Sequence, residues 1–198
     1  MKHKGVDKEE TRRNMVEALG HGFRKHGYAG IGIDGLSKSA GVTSGAFYTH
    51  FGSKNEAFTT ALEAGLDEVI GRLPAIQLEH GSNWVKYFVE NYLGESHRGD
   101  LEKGCAMATL TPEVVRFDSD MHAVFEEKMS AIAKVVAQGL SGGTERNRYD
   151  RAWSLLGVLI GGLNIARGMK SEKISNLVAD AIKLAAINAA GRTGAVKP

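Results

Sequence analysis

Apolar residues recur at helical spacing along almost the whole chain, and the alternation that would mark strands is scarce. Met15, Leu19 and Phe23 define one face of a first helix, which the pair His26-Gly27 is expected to end. A short helical piece follows from about Ile33 to Ala40 and stops at Gly41. Thr43 or Ser44 can cap a third piece that ends near Phe51-Gly52. Ser53, with Glu56 three residues on, forms a capping box for a longer helix. Phe58, Leu62, Leu66 and Val69/Ile70 carry that helix to an expected break before Pro74.

The second half repeats the pattern. Trp84, Phe88 and Tyr92 share a face, and Thr111-Pro112 resembles an N-cap with proline at the first helical position. Met121, Val124, Phe125, Met129, Ile132, Val135 and Val136 form an amphipathic stripe. A helix around 152–166 is apolar on more than one face: Trp153, Leu156 and Ile160 on one, Leu155, Leu159 and Leu163 on another. Ser171 opens a last helix, and the chain from Gly191 on is expected to fray. The fold class that follows is all-α.

One motif argues for something else. Gly30 to Gly35, "GIGIDG", has the glycine spacing of a dinucleotide-binding loop, which requires a strand before it and a crossover helix after it. The preceding "FRKHGYA" is a helix end and only five residues separate Gly35 from Gly41, so the glycines are assigned to a helix junction. Gly30 and Gly32 are expected to relieve backbone crowding there, and Gly35 to permit a close helix crossing.

Composition narrows the function classes. Residues 1–58 hold nine Lys/Arg against six Asp/Glu, whereas residues 59–198 hold sixteen against seventeen, so a mildly basic head precedes a near-neutral body. Cys105 is the only cysteine, so no intramolecular disulfide can form. The N-terminal stretch is polar and no apolar run approaches membrane-spanning length, which points to a cytoplasmic protein with no membrane partner. The seven histidines form no HxxxH or HExxH pair, so neither a metal nor another cofactor is expected.

Three short helices in the first 52 residues, the last two joined at Ala40-Gly41-Val42, describe a helix-turn-helix. "IGIDGLSKSAGVTSGAFYTHFGSKNEAF", residues 31–58, resembles the DNA-binding signature of the tetracycline-repressor (TetR) family of bacterial regulators. Ala40-Gly41-Val42, Gly45, Phe47-Tyr48, His50-Phe51 and Ser53-Lys54 carry the resemblance. It implies a head (residues 1–52) that binds double-stranded DNA and a helical body (53–198) for ligand binding and dimerisation, with 53–73 as connecting helix. It further implies a homodimer through the last two helices, a small-molecule effector, and repression of a palindromic operator.

The resemblance also assigns residue roles. Thr43 caps the recognition helix and touches a phosphate. Ser44, Gly45 and Ala46 approach base edges, and Ala46 can meet a thymine methyl. Tyr48 packs on a methyl or donates to a phosphate, Thr49 and His50 reach backbone oxygens, and Lys54 clamps a phosphate. Position 44, often basic in relatives, is Ser here. The candidate effector pocket comprises Trp84, Phe88, Tyr92, Cys105, Met107, Met121, Phe125, Trp153 and Asn164, with Tyr87 and Met129 as neighbours. Two other classes stand beside this one: a helical-bundle enzyme using Cys105 as nucleophile with His97 or His122 as base, and a helical protein–protein adaptor.

Overall fold

The computed structural model describes residues 4–191, with side chains from residue 9 onward. The frayed tail expected beyond Gly191 lies outside the described residues. Among the described residues ten α-helices follow one another: α1 (Lys4–Gly30), α2 (Ile33–Ser39), α3 (Ser44–His50), α4 (Lys54–His80), α5 (Trp84–Tyr92), α6 (Glu95–Gly99), α7 (Ala106–Val114), α8 (Ser119–Gly139), α9 (Glu145–Arg167) and α10 (Glu172–Ala189). A single 3-10 turn, Gly81–Asn83, joins α4 to α5, and no strand occurs among the described residues.

Helix starts follow local chemistry. Thr43, Ser53, Asp118, Thr144 and Ser171 each accept a hydrogen bond from the backbone N–H three residues on, satisfying one orphan donor of the first turn. At α4 the Glu56 carboxylate also accepts from the N–H of Gly52, 2.9 Å away. The polypeptide leaves helical geometry at Gly27 (φ 72°, ψ 169°), so the His26-Gly27 break is present as a kink inside α1. Positive φ at Gly27 and Gly41 (φ 68°) supplies the two sharp redirections of the N-terminal segment.

Met15, Leu19 and Phe23 of α1, Leu36 of α2, Phe47 of α3 and Phe51 at its C-cap close a small core onto Phe58 and Leu62 of α4. The GIGIDG segment is the α1–α2 junction, with no strand before it. Of its glycines only Gly35 is tight: a Cβ there would lie 3.0 Å from Ile31. A Cβ on Gly32 would meet nothing within 4 Å and one on Gly30 only His26 at 3.6 Å, so neither relieves the crowding expected of it.

Two prolines correct the sequence reading. α4 does not break before Pro74 but runs through it to His80. Burial of Leu73 and a bond from Gln77 Nε2 to the Val135 carbonyl (2.9 Å) hold the far turn against α8 and offset the missing N–H. Thr111-Pro112 does not open a helix either; Pro112 sits inside α7, whose N-cap is Cys105. A proline at 112 frees the carbonyl of Ala108, four residues back, and Asn164 Nδ2 donates to that carbonyl at 3.0 Å.

In the body, α4 packs along α8, and α9 against α10. Leu155, Leu156, Leu159 and Leu163 are fully buried on the inner side of α9. A Cβ on Gly162 would lie 2.2 Å from Ile182 Cγ2, so α9 and α10 cross at a distance that only glycine allows. Gly162→Ala is therefore expected to destabilise by about 1–3 kcal/mol in urea unfolding, the range for overpacking. Gly71→Ala, on an exposed α4 site where a Cβ meets nothing within 4 Å, is expected to gain up to about 1 kcal/mol.

Candidate nucleic-acid interface and ligand cleft

α2 and α3 are joined by Ala40–Thr43, with the N–H of Val42 bonded to the Ser37 carbonyl at 2.9 Å. The turn fixes α3 with Phe47 and Phe51 wholly inward. Tyr48 and Thr49 then fall on the outer side, with Tyr48 54% exposed, while Ser44, Ala46 and His50 are half-buried at its edges. Thr43 Oγ1 accepts from the Ala46 N–H (3.2 Å), and Thr49 Oγ1 donates back to the Gly45 carbonyl (2.9 Å). Ser44 Oγ donates to Asp34 Oδ1 of α2 at 2.7 Å. Its hydrogen is thus committed and its lone pairs are left for a donor. A Cβ on Gly45 would meet only Thr43 Oγ1, at 3.8 Å, so the helix start presents open backbone.

Lys54 opens α4 beside this face, its Nζ 4.3 Å from the Tyr28 ring centroid. Arg12 of α1 stands 5.6 Å from the ring centroid of Phe51. It is a cation at the head that sequence reading did not single out, because the contact depends on where α1 passes the end of α3.

A cleft of about 1500 Å³ lies between α1, α4, α5 and the segment leading into α7. Phe88, Tyr92, Cys105 and Met107 line it, as does Tyr87. The other expected pocket residues lie elsewhere. Trp84 is buried, with Nε1 donating to the Gly139 carbonyl at the end of α8 (2.8 Å). Met121 sits in a separate small hollow with Asn55, Thr59 and Phe117. Phe125 is half-buried against the core and Met129 belongs to it. Trp153 lies on the outer side of α9, edge-on to Tyr149 at 6.1 Å. Asn164 serves the carbonyl freed by Pro112. Spacing on a single helix could not separate these fates, since each depends on which neighbour covers that side.

The 97–105 wall of the cleft is held from behind by Arg167, which sequence reading missed. Its guanidinium donates to the carbonyls of His97 (2.6 Å), Arg98 (3.3 Å) and Asp100 (3.3 Å) and to Thr109 Oγ1 (3.2 Å), shaping the 97–105 segment. Gly104 fits there because a Cβ would lie 2.6 Å from Arg167 Nη2 and 2.8 Å from the Asp100 carbonyl. His97 Nε2 accepts from the Cys105 N–H (3.0 Å) and Nδ1 faces the Tyr92 carbonyl (2.6 Å), which assigns the Nδ1–H tautomer. Burial pulls the His97 pKa down, helped by the nearby cations Arg167 and Arg72, so the ring stays neutral. With both nitrogens engaged, His97 has no free lone pair for the Cys105 thiol. His122 Nε2 is engaged too, at the Val114 carbonyl (3.0 Å). Burial raises the Cys105 pKa, leaving a neutral thiol.

A head of this geometry, with a short helix held outward by a tight turn and a buried aromatic pair, is a helix-turn-helix DNA-binding domain. Residues 21–59 match the family model "Bacterial regulatory proteins, tetR family". The repressor NemR of Escherichia coli (strain K12) is 25% identical over 142 residues, covering 70% of this chain and 71% of NemR. The repressor DhaR of Mycobacterium sp. (strain GP1) is 26% identical over 142 residues, 69% and 70% of the two chains. The fold is shared with a TetR-family regulator from Cytophaga hutchinsonii, at TM-score 0.74 and 17% identity over 90% of this chain and 94% of that one. Residues 21–59 therefore carry a tetR-family DNA-binding segment, and the chain is a DNA-binding transcriptional regulator similar in sequence and fold to TetR-family members. No described helix is long and apolar enough to cross a membrane.

The raised thiol has a chemical consequence. At neutral pH, iodoacetamide is expected to alkylate Cys105 in the folded protein more slowly than in the urea-unfolded chain. The gap should narrow as pH rises through the elevated pKa. Equal rates at neutral pH, followed by intact mass, would contradict a neutral buried thiol.

Proposed function

We propose that the protein is a homodimeric repressor whose operator affinity is controlled by a small organic effector in the cleft. Residues 1–52 form the reading head, and 53–198 the effector-binding and dimerisation body. The observation that carries the reading is the two-sided character of α3: Phe47 and Phe51 are fully buried while Tyr48 stands 54% exposed among small and polar neighbours. That is what insertion of a helix N-terminus into a major groove requires. Gly45 and Ala46 allow close approach to base edges, with Ala46 able to meet a thymine methyl. Ser44, its hydrogen held by Asp34, accepts from a base amino group. Thr43, Tyr48, Thr49, His50 and Lys54 position the backbone.

Dimerisation through α9 and α10 is supported by their outer sides. Ile174, Leu177 and Leu184 on α10 are exposed, the last two by 62% and 67%. On α9 a Cβ at Gly157 or Gly161 would meet nothing within 4 Å, so these glycines serve no crossing inside the chain. Glycines kept in a helix interior at about 1 kcal/mol each against alanine fit close approach by a second copy. Effector control is expected to act through α4, which lines the cleft and begins at the head. The names of NemR and DhaR as repressors support the sign of regulation.

Selection from a random duplex pool tests the reading. Two-fold symmetric enrichment is expected, with half-sites about one turn, roughly 34 Å, or a multiple apart. Tyr48→Ala should weaken binding to the selected duplex by about 1–3 kcal/mol with the unfolding midpoint unchanged. A helical adaptor would show no enrichment at low salt. Leu177→Glu with Leu184→Glu should give a folded monomer by sedimentation, and a retained dimer would relocate the interface.

A further inference from the structure

A free serine hydroxyl cannot tell one base from another, because it donates and accepts equally well. Ser44 is not free. Thr49 and Ser39 bond carbonyls of their own helices, at Gly45 and Gly35, both at 2.9 Å, as helical hydroxyls commonly do. Ser44 Oγ instead donates at 2.7 Å to Oδ1 of Asp34, a carboxylate on the neighbouring helix α2. Asp34 is exposed and makes no ion pair among the described residues, and its Oδ2 makes no hydrogen bond among them. Ser44 is the first residue of α3, and the space over neighbouring Gly45 is open. The pair therefore stands at the end of the helix that meets base edges.

We propose that Asp34 is a specificity-determining residue: it makes Ser44 Oγ an acceptor, and the pair selects cytosine at one position of each operator half-site. The proposal deepens the reading of α3 given above and rests on that helix entering the major groove. With its hydrogen spent on Asp34, Ser44 Oγ can only accept. The groove offers donors in the amino groups of cytosine (N4) and adenine (N6), whereas guanine and thymine present acceptors that meet Ser44 and the open Asp34 oxygen with like polarity. Adenine's amino group is flanked by its own N7 and by thymine O4. Cytosine's is flanked by guanine O6 on one side and by its bare C5–H edge on the other. Two acceptors side by side fit the second. The carboxylate also repels phosphates, so Asp34 lowers affinity for every sequence while sharpening the choice among them. As an acid in the first turn of α2 it suits that helix's positive end too, a structural role that would leave base preference unmoved.

Selection from a random duplex pool by the intact protein and by its Ser44→Ala and Asp34→Ala variants, followed by sequencing, tests this. The base position that loses its preference in Ser44→Ala is the one Ser44 reads. The parent is expected to select cytosine there, favoured over guanine and thymine by about tenfold when singly substituted duplexes compete in fluorescence anisotropy. Asp34→Ala should flatten that position to about twofold and keep the preferences elsewhere in the site. It should also bind random-sequence duplex as tightly as the parent or more tightly, because a charge facing the phosphates is gone. Asp34→Asn keeps the side chain's shape and guards against a disturbed α2; it should lose the discrimination against guanine, because its amide donates. Another base at the Ser44 position, an unchanged cytosine preference in both Asp34 variants, or a Ser44→Ala selection with no position altered overturns the proposal. Symmetric enrichment accompanied by any of these defeats this inference alone, whereas no symmetric enrichment by the parent defeats the homodimeric-repressor reading and this inference with it.

Discussion

Everything in the molecule is arranged around one aromatic stack on α4. Phe58 lies parallel to Phe117 from the α7–α8 connection, 5.0 Å between centroids at an interplanar angle of 3°. Phe23 meets Phe58 edge-on at 5.0 Å, and Tyr28 meets it edge-on at 5.4 Å and Phe117 at 4.8 Å. Such pairs each contribute about 0.5–1.5 kcal/mol beyond burial. Their position matters more than their energy: Phe23 and Tyr28 belong to the head, Phe117 to the body, and Phe58 to the helix between them. The two parts therefore share one core, and a displacement of α4 cannot leave the recognition helix where it was.

A second clasp runs along the other side of the cleft. Lys25 of α1 pairs with Glu102 at 2.9 Å, and Arg24 holds the Glu102 carbonyl, so the 97–105 segment touches the head while Arg167 of α9 fixes it to the body. The Lys25–Glu102 pair is exposed and worth little by itself. The partly buried Arg24 and Arg167 contacts are screened less and set the geometry. The cleft lies between the aromatic stack and this clasp. Under the proposed regulation, a molecule filling it presses on both connections from head to body, the physical route by which occupancy would change recognition-helix spacing.

Much of this was legible in the chain. The caps at Thr43 and Ser53 and the inward pair Phe47/Phe51 follow from local chemistry and helical period, so the helix-turn-helix could be read directly. The prolines misled because proline was weighed only against its own helix. Pro74 is tolerated where α8 holds the next turn, and Pro112 where Asn164, 52 positions along the chain, accepts responsibility for the freed carbonyl. Those are tertiary compensations with no sequence signature. The candidate cleft was half visible for the same reason: Phe88, Tyr92, Cys105 and Met107 line it, whereas Trp84, Met121, Phe125, Trp153 and Asn164 obey the same apolar or polar pattern and serve the core, a helix end, the outer side of α9 or a carbonyl. Arg167 was invisible, since an arginine at the end of a helix looks solvated until the chain folds back over it.

Sedimentation of the protein on a duplex carrying its selected site tests the central claim most directly, that two shared-core chains read DNA as a symmetric pair. Two chains per duplex, with binding that weakens steeply as salt rises because phosphate counterions are released, is the result required. One chain per duplex, or association equally strong on a scrambled duplex, would contradict it.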